Sequence, residues 1–184
     1  MQTTSGVSSR IGQEIWLCLS LLMIMPAGAA SMRPVPGMAT ARISSLARLR
    51  ADKLAIRRLI SEYVQSVDAA SPKLAARVWW NSPRVSFINP MVWVHGFAAI
   101  QRQVYAQAMG RTFLRRDLVV RHVSIHVRGG EAWAEFSWTF HGRYRHGAQT
   151  VTSRGIETQV YWKIAGRWRL VHVHYSALPD KTSQ

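Results

Sequence analysis

Acidic residues are scarce in this chain. Nine Asp and Glu stand against 24 Lys and Arg, a formal charge of +15 at neutral pH. That imbalance favours anionic partners of any kind, from nucleic acid to lipid headgroups and small acids. The arginines are scattered along the chain, however, and no block of them forms a nucleic-acid arm. Cysteine is nearly missing. Cys18 is the only one, which excludes an intrachain disulfide and a zinc site built on paired thiolates. Glycine-rich phosphate loops, dinucleotide fingerprints and nucleophile elbows are all absent, as are internal repeats and low-complexity segments. No apolar run reaches the roughly 20 residues that cross a bilayer.

The longest such run, residues 15–25, follows Arg10 and precedes Ala27, Gly28, Ala29 and Ala30. A basic flank, a short apolar stretch and a small-residue exit make the layout of an export signal cleaved after Ala29 or Ala30. The expected organisation is a signal peptide over 1–30, a flexible lead-in with two prolines over 31–44, one folded domain over 45–179 and a tail over 180–184. The mature chain is then periplasmic or secreted, lacks a thiol and has no stable membrane span.

What the chain does have is apolar and aromatic surface. Hydrophobic residues make up 48%, with eight tryptophans, enough to fill one core. From Ser45 to Asp68, Ile56, Leu59, Ile60, Tyr63, Val64 and Val67 recur at helical spacing, with Leu46 and Leu49 ahead of them. Arg50, Lys53, Arg57, Arg58 and Glu62 take the other face. Ser71-Pro72 predicts an N-cap and first turn for a short helix through Trp80. Short strands are expected at 84–90 and 91–95, and a third helix at 96–110. Beyond that the period drops to two, predicting strands at 118–128, 131–145, 150–164 and 167–176. Gly129-Gly130 and Ala165-Gly166 are the hairpin turns. Helices followed by an antiparallel meander make an α+β fold.

This order of elements, with these residues, resembles the cone-shaped nuclear transport factor 2-like superfamily. Within it, the chain is similar to SnoaL-like proteins and to the association domain of calcium/calmodulin-dependent kinase II. The resemblance covers about 51–179 and is most specific in the last hairpin, at Glu157, Thr158, Val160, Tyr161, Gly166, Trp168, Val171, His172, His174 and Ser176. It implies N-terminal helices packed on a curved antiparallel sheet, a cavity between them, and a homodimer joined through a sheet face. It does not imply one activity, because the fold hosts isomerases, cyclases, dehydratases, assembly hubs and binders. Two relatives' sites are not intact. Asn89 stands where the ketosteroid isomerase branch carries its carboxylate base, and an amide cannot abstract a proton. Gln159 stands where the kinase association domain carries a pocket arginine.

The candidate catalytic residues are Glu157, His172, His174 and Tyr63. A desolvated carboxylate gains basicity, and a tyrosine can donate to an oxyanion. His172 and His174, two apart on one strand, share a face. Three roles are open to them: metal ligands with Glu157 or Glu135, acid–base groups in a pocket, or structural imidazoles. Arg154, Gln159, Tyr161, Trp138 and Asn89 are the candidate ligand contacts. His122, His126 and His141 read as an exposed strand face. No metal and no cofactor is assigned, and no nucleic-acid partner. The leading expectation is an exported domain that binds a small organic molecule, an anion among the candidates. An acid–base isomerase, cyclase or dehydratase and a ligand-free assembly module are the alternatives.

Overall fold

The computed structural model describes residues 36–147 and 149–179. The expected export signal and tail lie outside the described residues. Helix α1 (Pro36–Asp68) begins at Pro36 rather than Ser45, so the described part of the expected lead-in is helical. Ile56, Ile60, Tyr63 and Val67 form its buried stripe, while Leu46 and Leu49 lie exposed on turns that run past the core. Helix α2 (Pro72–Val78) starts as its sequence predicts, with Ser71 Oγ accepting from the Leu74 N–H at 3.2 Å. It ends at Val78, because the Trp80 N–H turns away to the Leu170 carbonyl.

Two short strands, β1 (Ser86–Ile88) and β2 (Trp93–His95), precede the third helix. That helix, α3 (Phe97–Ile100), continues as a π-helix over Gln101–Arg111. Its wider turns, bonded five residues apart, are a rare geometry that is frequent at functional sites. Four long strands follow: β3 (Phe113–Arg128), β4 (Glu131–Tyr144), β5 (Thr150–Ile164) and β6 (Arg167–Ala177).

The strands form one curved sheet in the order β2-β1-β6-β5-β4-β3. All neighbours are antiparallel except β1 and β6, which run parallel. The Ala165-Gly166 turn has positive φ at both residues (49° and 78°), the primed geometry that suits strand twist. Bulges bend the sheet where the β3–β4 register shifts between Arg121 and Ser124 and the β5–β6 register shifts between Val160 and Tyr161. The helices cover the concave face. Phe87, Phe136, Tyr161, Leu170 and Val173 from the sheet meet Ile56, Val78, Trp79, Phe97 and Ile100 there. Arg116 locks the layers together, donating to the carbonyls of Asp68 (2.9 Å), Met109 (3.1 Å) and Phe113 (2.5 Å).

Candidate functional site

Helices and sheet do not close completely. At one end they leave a cavity of about 380 Å³, walled by α1, the π-helix, the β1–β2 loop and the concave faces of β3 to β6. Its lining is mostly apolar and aromatic, including Phe87, Val104, Met109, Phe113, Trp138 and Phe140. Among the described lining residues there is no lysine, arginine or histidine. The one carboxyl among them is Glu157, with the hydroxyls of Tyr63, Tyr105 and Tyr175 around it.

Strand alternation places Glu157. On β5, residues 155, 157, 159 and 161 face inward and are buried. Glu157 is 3% exposed and has no cation beside it among the described residues. Gln159 Nε2 donates to its Oε1 at 2.6 Å, and the Tyr161 hydroxyl donates to Gln159 Oε1. The Tyr63 hydroxyl faces the same carboxyl from α1. Desolvation outweighs these hydrogen bonds and pushes the Glu157 carboxyl up to about 8. At neutral pH it is therefore mainly a protonated acid that can donate a hydrogen bond. Burial and the neighbouring Glu157 hold Tyr63 well above the ordinary phenol range, so it stays a neutral donor. Burial likewise pushes Tyr105 up to about 12, and its hydroxyl is engaged by Ser66 Oγ (3.0 Å) and Trp79 Nε1 (3.2 Å).

The other sequence candidates divide. Trp138 lines the cavity, and its buried Nε1 has no hydrogen-bond partner among the described residues. Asn89 sits at the mouth, donating from Nδ2 to the Tyr175 hydroxyl at 2.9 Å. Gln159 and Tyr161 are fully buried behind Glu157 and support it without lining the cavity. Arg154 is a correction. Its Nη2 donates to the Pro179 carbonyl at 3.0 Å, on the opposite strand face.

His172 and His174 are the larger correction. The bulge on β6 sets Val160 opposite His172 but Tyr161 opposite Leu170, leaving Val171 as the extra residue. Leu170, Val171 and Val173 are all buried, while His172 is half-buried and His174 exposed. The bulge thus turns both imidazoles onto the outer face and brings Tyr175 inward to the cavity. His172 Nδ1 lies 2.8 Å from Ser86 Oγ, and burial, with the neighbouring His174, lowers its pKa. Glu135 is exposed on the outer face too, and among the described residues no group of three His, Cys, Asp or Glu could hold a metal ion. Tyr175 and Tyr105 are site residues that sequence reasoning missed. Tyr175 could be reached only by knowing the bulge, and Tyr105 only by knowing the π-helix.

A cone of helices over a curved sheet, enclosing an apolar cavity with one buried acid, defines the class of protein. Residues 48–174 match the SnoaL-like domain. A nuclear transport factor 2-like superfamily protein from Salmonella enterica serovar Typhimurium LT2 is similar at 37% identity, covering 73% of this chain and 96% of that one, with a TM-score of 0.70. The chain belongs to the SnoaL-like family of the nuclear transport factor 2-like superfamily. The hexachlorocyclohexane dehydrochlorinase LinA-type3 from Novosphingobium barchaimii LL02 shares the fold at 16% identity, covering 73% of this chain and 91% of that one, with a TM-score of 0.64. No curated protein matches the chain significantly.

Proposed function

We propose that the chain binds a small, neutral, largely apolar organic molecule in this cavity, an acceptor group of the ligand meeting the Glu157 acid. The observation that carries the reading is the apolar cavity in which, among the described residues, the only ionisable carboxyl, Glu157, is buried without a cation. A volume of about 380 Å³ suits a compact ring system. An anion, one of the ligands the +15 charge invites, would lose its hydration and find no counter-charge among the described lining residues, and above about pH 8 it would also oppose ionised Glu157. Titration of the protein with neutral aromatic ketones and with their carboxylate analogues tests this. Saturable binding of the ketones supports it, and preference for the carboxylates overturns it.

A second reading, acid–base catalysis, is favoured by Glu157 itself. A carboxyl near 8 is basic enough, once ionised, to take a proton from carbon, with Tyr63 as the neutral donor to the resulting oxyanion. The dehydrochlorinase of the same fold puts elimination among the reactions to assay. Export remains part of the proposal, checked by whether protein from the producing host lacks residues 1–29 or 1–30. Pairing of two copies through the outer sheet face is proposed as well, on the exposure of Trp133 and Ile156 there.

A further inference from the structure

An amide side chain has an accepting end and a donating end of nearly the same shape, and its partners decide which is which. At Asn89 they leave one answer. Its Oδ1 accepts from the N–H groups of Met91 and Val92, both at 2.8 Å, and its own N–H donates to the Val92 carbonyl at 3.0 Å. Backbone N–H groups only donate, so the end that meets them must be the oxygen. Nδ2 is therefore the end that reaches the Tyr175 hydroxyl, at 2.9 Å.

This fixes the polarity of the phenol. Its oxygen accepts from Asn89, and its proton is left to be given elsewhere. Among the described residues the Tyr175 hydroxyl has no other hydrogen-bond partner. The ring itself is held. Phe87 and Trp138, both lining the cavity, meet it edge-on with centroids 5.8 and 5.3 Å away. Register places Tyr175 on β6 directly opposite Glu157 on β5, and cross-strand partners hold their Cβ atoms about 5 Å apart. Burial, with Glu157 nearby, raises the Tyr175 pKa despite the bond from Asn89, so the phenol keeps its proton at neutral pH.

We propose that Tyr175 is a second ligand donor in the cavity, aimed by Asn89, and that the ligand is a neutral ring compound with one acceptor group for Tyr175 and another for Glu157. The inference rests on the binding of a neutral ligand proposed above. Asn89 is then a positioning residue, acting on the ligand through Tyr175.

The test is calorimetric titration of the full chain at neutral pH with an aromatic hydrocarbon, its monoketone and a set of its diketones of different spacing. At least one diketone is expected to bind about tenfold more tightly than the monoketone, the worth of one hydrogen bond. Tyr175→Phe should cancel that advantage and leave hydrocarbon binding unchanged. Asn89→Asp supplies the second variant. One carboxylate oxygen keeps the two backbone N–H groups, and the other can only accept, so it takes the Tyr175 proton. The diketone advantage should vanish again, with no further loss when the two substitutions are combined. A diketone advantage that is missing, or that survives either substitution, overturns the proposal while monoketone binding still upholds the cavity reading. Equal losses for hydrocarbon and diketone on Tyr175→Phe also overturn it, assigning Tyr175 to packing. No binding of any of these compounds to the parent chain overturns the cavity reading and this inference together.

Discussion

Glu157 is where the chemistry of this protein concentrates, and its burial makes a signed prediction. Its carboxyl is raised from an ordinary 4.5 to about 8 in the folded chain. Between those values the folded state holds a proton that the unfolded state has lost. Folding stability is therefore greatest on the acid side of this window and falls as pH rises through it. The steepest slope from this one group is about 1.4 kcal/mol per pH unit. Glu157→Gln keeps the shape and the bond from Gln159 while removing the charge, so thermal melts from pH 5 to 9 should lose that slope. Parallel curves for the two proteins would show that Glu157 is not its source. Trp138→Phe removes an indole N–H that has no partner among the described residues, so the cost in stability is that of ring volume, about 1–2 kcal/mol, read from denaturant melts. Glu157 was legible in the sequence because alternation along β5 is unbroken from Gly155 to Tyr161. The histidines were not, because one extra residue at Val171 reverses every later side chain on β6.

Among the elements, β5 leaves no room for a side chain at Gly155. A Cβ there would run into the Ser176 carbonyl oxygen and the Trp138 ring. Gly155→Ala is expected to destabilise the domain by about 3 kcal/mol or more, read as a lowered denaturant midpoint with an unchanged slope. Little or no change would mean that the two strands part freely at this point. Arg116 joins elements of another kind, with its guanidinium satisfying carbonyls at the ends of α1 and the π-helix. Removing it by Arg116→Gln should cost about 1–3 kcal/mol and loosen the cavity wall, seen as faster amide exchange near Met109. Exchange unchanged there would argue against that role. Helix caps, strand periods and hairpin turns are local, so Ser71-Pro72 and Ala165-Gly166 announced themselves in the sequence. The π-helix and the bulges are set by what packs on them, and no local pattern marks Gln101–Arg111 as wider than an α-helix.

For the molecule as a whole, the basic charge surrounds the cavity without entering it. The sequence shows +15 but not its distribution, which is why an acidic ligand was a natural expectation. No arginine is among the described lining residues, whereas Phe87, Phe113, Trp138, Phe140 and four tyrosines are. On the outer sheet face, Ile156 is 51% exposed between β4 and β6. If two copies pair through this face, Ile156→Glu should convert a dimer to a monomer in sedimentation without lowering cooperativity of unfolding. A dimer that survives the substitution would place the contact elsewhere. The most direct test of the account is calorimetric titration of the full chain at pH 6 and pH 9 with a neutral aromatic ketone and its carboxylate analogue. The account predicts saturable ketone binding that weakens about tenfold at pH 9, where Glu157 has lost the proton it donates, and tighter binding of ketone than carboxylate at both values. Carboxylate preferred at pH 6, or ketone affinity unchanged between the two, would contradict it.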